Sequence, residues 1–130
     1  MEYTYDSMIF DDIKICQLKE HGFRFGCDSV VLAYFTKSKA KSLVADVGSG
    51  SGVISVLISK IYGSKIEAIE LQEEMFKCLE QTVSLCNMED RIKVINDDIR
   101  LMPKSTLYDS IVCNPPYRKI NTGKTAKDSI

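Results

Sequence analysis

The stretch "SLVADVGSGSGVIS", Ser42 to Ser55, decides the fold. Its first half is a short apolar run that stops at glycine, the pattern of a buried strand. Beyond the glycines, Val53, Ile54, Leu57, Ile58 and Ile61 recur at helical spacing, and Gly63 closes the helix. Between strand and helix, Gly48 and Gly50 permit a tight turn and a close approach of ligand to backbone, and Gly52 permits close packing of helix on strand. The helix start offers free N–H groups and a partial positive charge. The spacing is G-x-G-x-G, which differs from the dinucleotide fingerprint G-x-G-x-x-G, and the Gly-Lys-Ser/Thr ending of a P-loop is absent. No residue is placed to cradle a triphosphate.

Downstream the same unit repeats. "KIEAIEL" reads as a second strand. "QEEMFKCLEQTVSLCNM" reads as a helix with Met75, Leu79, Val83 and Cys86 on one face and acids in its first turn, where the dipole favours them. "RIKVIND" and "DSIVCN" are the third and fourth strands. Strands alternating with helices predict a parallel sheet with helices on both faces. Glu70 ends the second strand, and a carboxylate there can accept hydrogen bonds from both hydroxyls of a ribose. Asp97 and Asp98 end the third; one can take a hydrogen bond from the amino group of a bound adenine, with Asp98 preferred, or serve as a cap for the next turn. Asp46 can meet an ammonium group or cap the N–H groups of the glycine loop. Together these residues suit a nucleoside without a phosphate chain.

The fourth strand, Ser110-Ile111-Val112-Cys113, reads as buried, with Cys113 in the core. It stops at Asn114-Pro115-Pro116-Tyr117, because two prolines lack the N–H that a ladder needs. No strand pattern follows, so the last strand is left as an apolar edge, which natural proteins avoid. The chain is therefore expected to be a piece of a longer one or to have this edge covered by a partner.

Upstream, apolar and polar residues alternate around Ile13 and Ile15 and again around Phe23 and Phe25, with His21-Gly22 between, predicting a short hairpin. Asp28 and Ser29 then open a short helix carrying Val30, Val31, Leu32 and Phe35. The organisation expected is one domain over residues 1–130, with a hairpin and helix extension over 1–40 and a core over 41–117. The net charge of −1 advertises no polyanionic partner, although Arg118, Lys119, Lys124 and Lys127 make a basic stretch near the end. Five cysteines without a CxxC pair, and a single histidine, argue for reduced thiols in a cytoplasmic protein with neither disulfide framework nor metal site. Neither a signal peptide nor an apolar run of membrane-spanning length is visible. Monomer and homodimer both stay open.

With these residues assembled, the sequence resembles the class I S-adenosylmethionine-dependent methyltransferases, whose sheet is Rossmann-like and doubly wound; here it would lack the C-terminal strands. "ADVGSGSG" matches the glycine motif, Glu70 the ribose acid and Asp98 the adenine-contacting acid. Asn114-Pro115-Pro116-Tyr117 is similar to the (Asp/Asn)-Pro-Pro-(Tyr/Phe) motif of enzymes that methylate a planar nitrogen. "FRFGCDSVVLAYF" resembles the segment before the glycine motif in bacterial tRNA(Val) adenine N6-methyltransferases, in which Gly-x-Asp, here Gly26 and Asp28, opens a helix lining the cofactor pocket. The resemblance also implies pocket roles for Phe25, Leu71, Ile99 and Asn114.

An exocyclic amine on adenine is a poor nucleophile, because its lone pair is delocalised into the ring. The side-chain carbonyl of Asn114 and the backbone carbonyl of Pro115, held by Pro116, can accept the two amino hydrogens and concentrate the lone pair toward the methyl. These acceptors strengthen as the nitrogen becomes cationic. Tyr117 would stack on a flipped base. The expected activity is methyl transfer to N6 of an anticodon-loop adenine in tRNA. The alternatives are glutamine methylation in a release factor and a truncated cofactor-binding domain without turnover. The glycine spacing ranks a nicotinamide enzyme low.

Overall fold

The computed structural model describes residues 3–7, 13–18, 27–103 and 107–115. It contains two sheets. β1 (Tyr3–Ser7) and β2 (Lys14–Leu18) pair antiparallel, with Tyr5 opposite Cys16. After α1 (Cys27–Thr36) come β3 (Leu43–Val47), α2 (Val53–Tyr62), β4 (Lys65–Ile69), α3 (Glu73–Leu85), β5 (Ile92–Ile95), a 3-10 turn (Ile99–Leu101) and β6 (Ser110–Cys113). The last four strands form a parallel sheet in the order β5-β4-β3-β6.

That order carries the functional geometry. From β3 the chain steps outward to β4 and β5, then returns to pair β6 against the free side of β3, with Val47 opposite Cys113. The reversal makes a topological switch point between β3 and β6, and a crevice opens there at the carboxyl ends of the strands. The glycine loop leaves β3 at this crevice and Asn114 leaves β6 beside it.

Alternation along the strands assigns the two faces. Val44, Ile66, Ala68, Ile92 and Val112 join one core with Ala33 of α1, Val56 and Leu57 of α2, and Leu79 and Val83 of α3. α2 is buried over nearly its whole length, from Val53 to Ser59, as its largely apolar sequence demands. α3 buries only Cys78, Leu79, Thr82 and Val83, a narrower stripe suited to a charged helix at the surface. Ile13 and Ile15 lie in this core too, so the hairpin packs into the same body as the parallel sheet.

β2, which holds Ile15, pairs with Tyr3–Ser7, whose Tyr-Thr-Tyr run has strong strand preference; the sequence suggested a hairpin with the stretch around Phe23 and Phe25. Residues 19–26, including Phe23, Phe25 and Gly26, lie outside the described residues. Helices were expected on both faces; among the described residues α1, α2 and α3 share one face. The other carries Glu67, Lys93, Ile111 and Cys113 together with the buried Ala45 and Ile69. Consequently β6 is buried only at Val112, while Ile111 is 66% exposed and Cys113 is exposed instead of lying in the core. Edge position explains this, since alternate side chains of β6 have no covering layer among the described residues.

The hairpin is fastened to α3 by polar contacts that no local pattern announces. The Cys16 N–H donates to Thr82 Oγ1 (2.9 Å), and Tyr5 donates its hydroxyl to Gln81 Oε1 (2.8 Å). Cys16 and Cys78 face each other as buried thiols, Sγ to Sγ 3.5 Å. Burial pushes Cys78 up to about 12, so both stay protonated.

Candidate active site

The loop between β3 and α2 is built by hydrogen bonds from its neighbours. The Gly48 and Ser49 N–H groups both donate to the Ile69 carbonyl (2.9 and 3.0 Å), and Ser49 Oγ donates to the Asp46 carbonyl (2.7 Å). Gly48 has φ +71, and a Cβ added there would meet nothing within 4 Å, so the backbone is both left-handed and open to an incoming group. Gly52 behaves differently. With φ +93 it N-caps α2, and a Cβ would meet Leu79 Cδ1 at 2.8 Å. Its missing side chain therefore admits α3, where the sequence suggested room for the strand.

Glu70 is the organising carboxylate. It is 7% exposed, with Oε1 accepting the Gly50 N–H (2.7 Å) and Oε2 the Gln72 N–H (2.9 Å). Each oxygen keeps a further lone pair, so the group is preorganised to accept two hydroxyl donors from a ligand without giving up the loop. Its own N–H donates to the Ile95 carbonyl, and Asn96 Nδ2 donates to the carbonyls of Glu70 (2.9 Å) and Leu71 (3.2 Å). Asn96 thus ties the end of β5 to the end of β4.

Asp46 is buried one strand away. Ser55 Oγ donates to its Oδ2 (2.6 Å) from the first turn of α2. Burial raises its pKa to about 6; the Ser55 and Ser49 hydrogen bonds lower it, and the Glu70 charge adds a smaller raise. The side chain serves to hold α2 against β3 as directly as it could serve a ligand.

At the end of β5 the two acids separate in role. Asp98 Oδ1 accepts the Arg100 N–H (2.9 Å) and caps the 3-10 turn, and its carboxylate pairs with the Arg100 guanidinium, Oδ2 to Nη2 2.5 Å. Those hydrogen bonds hold Asp98 down at about 2. Asp97 Oδ1 accepts the Asp98 N–H (2.7 Å) and is otherwise exposed. Leu71 and Ile99, which directly follow Glu70 and Asp98, are both exposed apolar side chains beside this crevice.

Asn114 follows β6 at the same carboxyl edge of the sheet. Its Nδ2 donates to Ser29 Oγ (3.2 Å), which fixes the amide's orientation and joins the start of α1 to the end of the sheet across 85 positions. Asp28, exposed beside Ser29, accepts that residue's N–H through Oδ1 (3.0 Å). Pro115 follows Asn114 and is exposed. Pro116, Tyr117 and the basic residues Arg118, Lys119, Lys124 and Lys127 lie outside the described residues.

Asp46, Gly48, Gly50, Glu70 and Leu71 thus gather along β3 and β4, Asp97, Asp98 and Ile99 beyond β5, and Asp28 and Asn114 on the β6 side. The supporting residues Ser29, Ser55, Asn96 and Arg100 were not anticipated as part of the site. Ser55 left a signal, as a buried hydroxyl in a mostly apolar helix run, although Ser59 in the same run is buried with no partner for its Oγ. Among the described residues no cluster of His, Cys, Asp or Glu is arranged to hold a metal, and no helix is long and apolar enough to cross a membrane.

Comparison with known proteins agrees with this geometry. The chain is 31% identical over 96 residues to a tRNA1(Val) (adenine(37)-N6)-methyltransferase of Tolumonas auensis, covering 72% of this chain and 40% of that one. It is 28% identical over 111 residues to the protein of the same name from Vibrio parahaemolyticus, covering 85% and 46%. A solved structure, P. horikoshii TYW2 in complex with MeSAdo, superposes with a TM-score of 0.72 at 28% identity, covering 84% of this chain and 41% of that one. The chain spans less than half the length of these relatives. The family described as methyltransferase small domain matches residues 26–129, and the chain, with its glycine loop and Glu70 at the switch point of a parallel sheet, belongs to that family.

Proposed function

We propose that this chain carries the cofactor half and the reacting lip of an S-adenosylmethionine-dependent N-methyltransferase whose acceptor is the N6 amino group of an adenine in tRNA. The observation that carries the reading is that Asn114 directly follows the strand paired with β3, its amide nitrogen donating to Ser29. That bond engages the nitrogen end of the amide, and the carbonyl is the end whose chemistry suits an amino hydrogen.

The residues present fit the cofactor. Glu70 offers two held oxygens to the ribose hydroxyls, the open backbone at Gly48 admits the amino-acid portion, and Leu71 and Ile99 offer apolar contact to adenine. Asp97, free of the ion pair that engages Asp98, is the better placed of the two acids to accept from the adenine amino group. When bound, the cofactor supplies an electrophilic methyl on a sulfonium. The chain's part is to orient the attacking nitrogen and to stabilise positive charge as it develops there. The Asn114 and Pro115 carbonyls do this, and their hydrogen bonds strengthen as the amine becomes cationic. Similarity to tRNA1(Val) (adenine(37)-N6)-methyltransferases supports tRNA adenine as the acceptor class.

Titration calorimetry tests the cofactor half: S-adenosylhomocysteine should bind and NAD should not, with affinity lost in Glu70→Ala. Incubation with radiolabelled cofactor and either tRNA or release factor tests the acceptor. Label in protein alone would reject tRNA, and transfer persisting in Asn114→Ala would reject the role given to that amide.

A further inference from the structure

The net charge of −1 conceals a division between the two ends of the sheet. Asp46, Glu70, Glu73, Asp97 and Asp98 lie at the carboxyl edge. At the amino edge the α1–β3 connection supplies Lys37, Lys39 and Lys41, Lys65 opens β4 beside it and Arg91 precedes β5, which together outnumber the acids of that edge, Glu89, Asp90 and Asp109.

These lysines stand on two loops that are bonded into one surface. The Lys41 N–H donates to the Gly63 carbonyl (3.1 Å), the Lys65 N–H to the Ser42 carbonyl (2.8 Å), and Ser64 Oγ to the Lys39 carbonyl (3.0 Å). The Ser38 and Ser64 hydroxyls lie 2.6 Å apart. Lys37 and Lys41 have φ of +47 and +65, a left-handed backbone uncommon for residues with a Cβ. The loop's shape is therefore imposed by its tertiary hydrogen bonds and not by any preference of lysine. A notch of about 300 Å³ opens there, lined by Lys37, Ser38, Lys39, Ser42, Asp109 and Ser110. The one carboxylate in the notch, Asp109, turns Oδ2 to the Leu43 N–H (2.8 Å). Among the described residues Lys37, Lys39, Lys41 and Lys65 form no ion pair. Four lysines beside a single local carboxylate, itself engaged by the Leu43 amide, leave an excess of positive charge that attracts an external polyanion.

We propose that this amino-edge lysine cluster docks the sugar–phosphate backbone of an RNA, at phosphates remote from the base presented to Asn114. The choice of RNA as the polyanion rests on the tRNA reading given above. β3 has five residues, so the two edges lie roughly 16 Å apart at about 3.3 Å per residue. One RNA larger than a few nucleotides can meet both. Flexible ammonium groups and serine hydroxyls suit phosphate oxygens and carry no base code, so the cluster positions the RNA while the carboxyl edge selects the base.

The test is fluorescence anisotropy of a labelled tRNA(Val) transcript titrated with the full chain at several salt concentrations. In Lys37→Glu/Lys39→Glu/Lys41→Glu the affinity should fall about tenfold or more at low salt. The slope of log K against log salt should shrink by about two to three, near one unit per lost phosphate contact. S-adenosylhomocysteine binding should be unchanged. The milder Lys→Gln set at the same positions, checked by circular dichroism, should show the same direction and guards against misfolding of the reversed-charge protein. Affinity and slope within twofold of the parent in the Gln set would overturn the proposal. If that variant nevertheless accepts label on tRNA as the parent does, the methyltransferase reading stands without it. Parent protein that binds phosphatidylglycerol vesicles and not tRNA would overturn the docking proposal and the tRNA reading together, leaving only the cofactor claim.

Discussion

The two sides of the switch point are built to different standards. Along β3 and β4 each polar group of the crevice is tied within the chain: Glu70 to the Gly50 and Gln72 amides, Asp46 to Ser55, and the Gly48 amide to Ile69. At the carboxyl end of β6 the Asn114 amide donates to Ser29, beside a strand whose Ile111 is largely exposed. The first region is preorganised by its own hydrogen bonds. The second carries Asn114 and Pro115 at the end of an edge strand without a covering layer among the described residues. A chain that spans less than half of its relatives thus holds one closely hydrogen-bonded side and one uncovered edge strand among the described residues.

Mutations on the two sides should differ accordingly. Gly52→Ala brings a Cβ against Leu79 at 2.8 Å on a left-handed backbone. Overpacking and the backbone penalty together predict a loss of about 3–4 kcal/mol in urea unfolding. If the loss is under about 1 kcal/mol, α3 can move and the cradle is softer than its bonding suggests.

Asp46 sharpens the contrast through pH. Its pKa is raised from 3.8 to about 6 in the fold, so the folded state holds the proton more tightly than the unfolded chain. That contribution to stability is full below about pH 4 and is lost as pH rises through about 6. Asp46→Asn keeps an acceptor for Ser55 and removes the charge. It should gain roughly 2–3 kcal/mol on the parent between pH 4 and 7. Parallel stability–pH curves for the two proteins would reject burial as the governing cause.

Glu70→Ala frees two amides that water can partly satisfy, for a predicted loss of about 1–2 kcal/mol along with ligand affinity. Because the Glu70 charge helps raise Asp46, the same variant should move the Asp46 titration downward, which carboxyl chemical shifts would register. Ile111→Thr on the opposite side should change stability by less than about 0.5 kcal/mol, since it empties no packed space. A larger loss would mean that β6 is covered after all. Thiol labelling offers the gentlest probe: exposed Cys113 should react in the native state well before buried Cys16 and Cys78.

Much of the cofactor side was legible from spacing alone. The glycine loop, the strand–helix alternation and Glu70 are local features, governed by backbone freedom, apolar periodicity and the position of one acid at a strand end. Asp98 shows where such reading stops. Its position was found, yet Arg100 two residues on makes it a cap and an ion-pair partner, and one short-range contact leaves Asp97 the freer acid. Cys113 and Ile111 were misread because an apolar run looks the same whether one or both faces of the strand are covered.

What the amino-acid order determined was the set of elements and the chemistry at their ends, because helix periodicity, strand alternation and glycine turns act over a few residues. What the tertiary structure alone decided was adjacency. β6 beside β3, Ser29 against Asn114, the hairpin fastened to Thr82 and Gln81, and four lysines brought onto one edge all join residues far apart in the chain. Such pairings follow from how whole faces are buried together, a property of the assembled sheet that no short window of sequence contains.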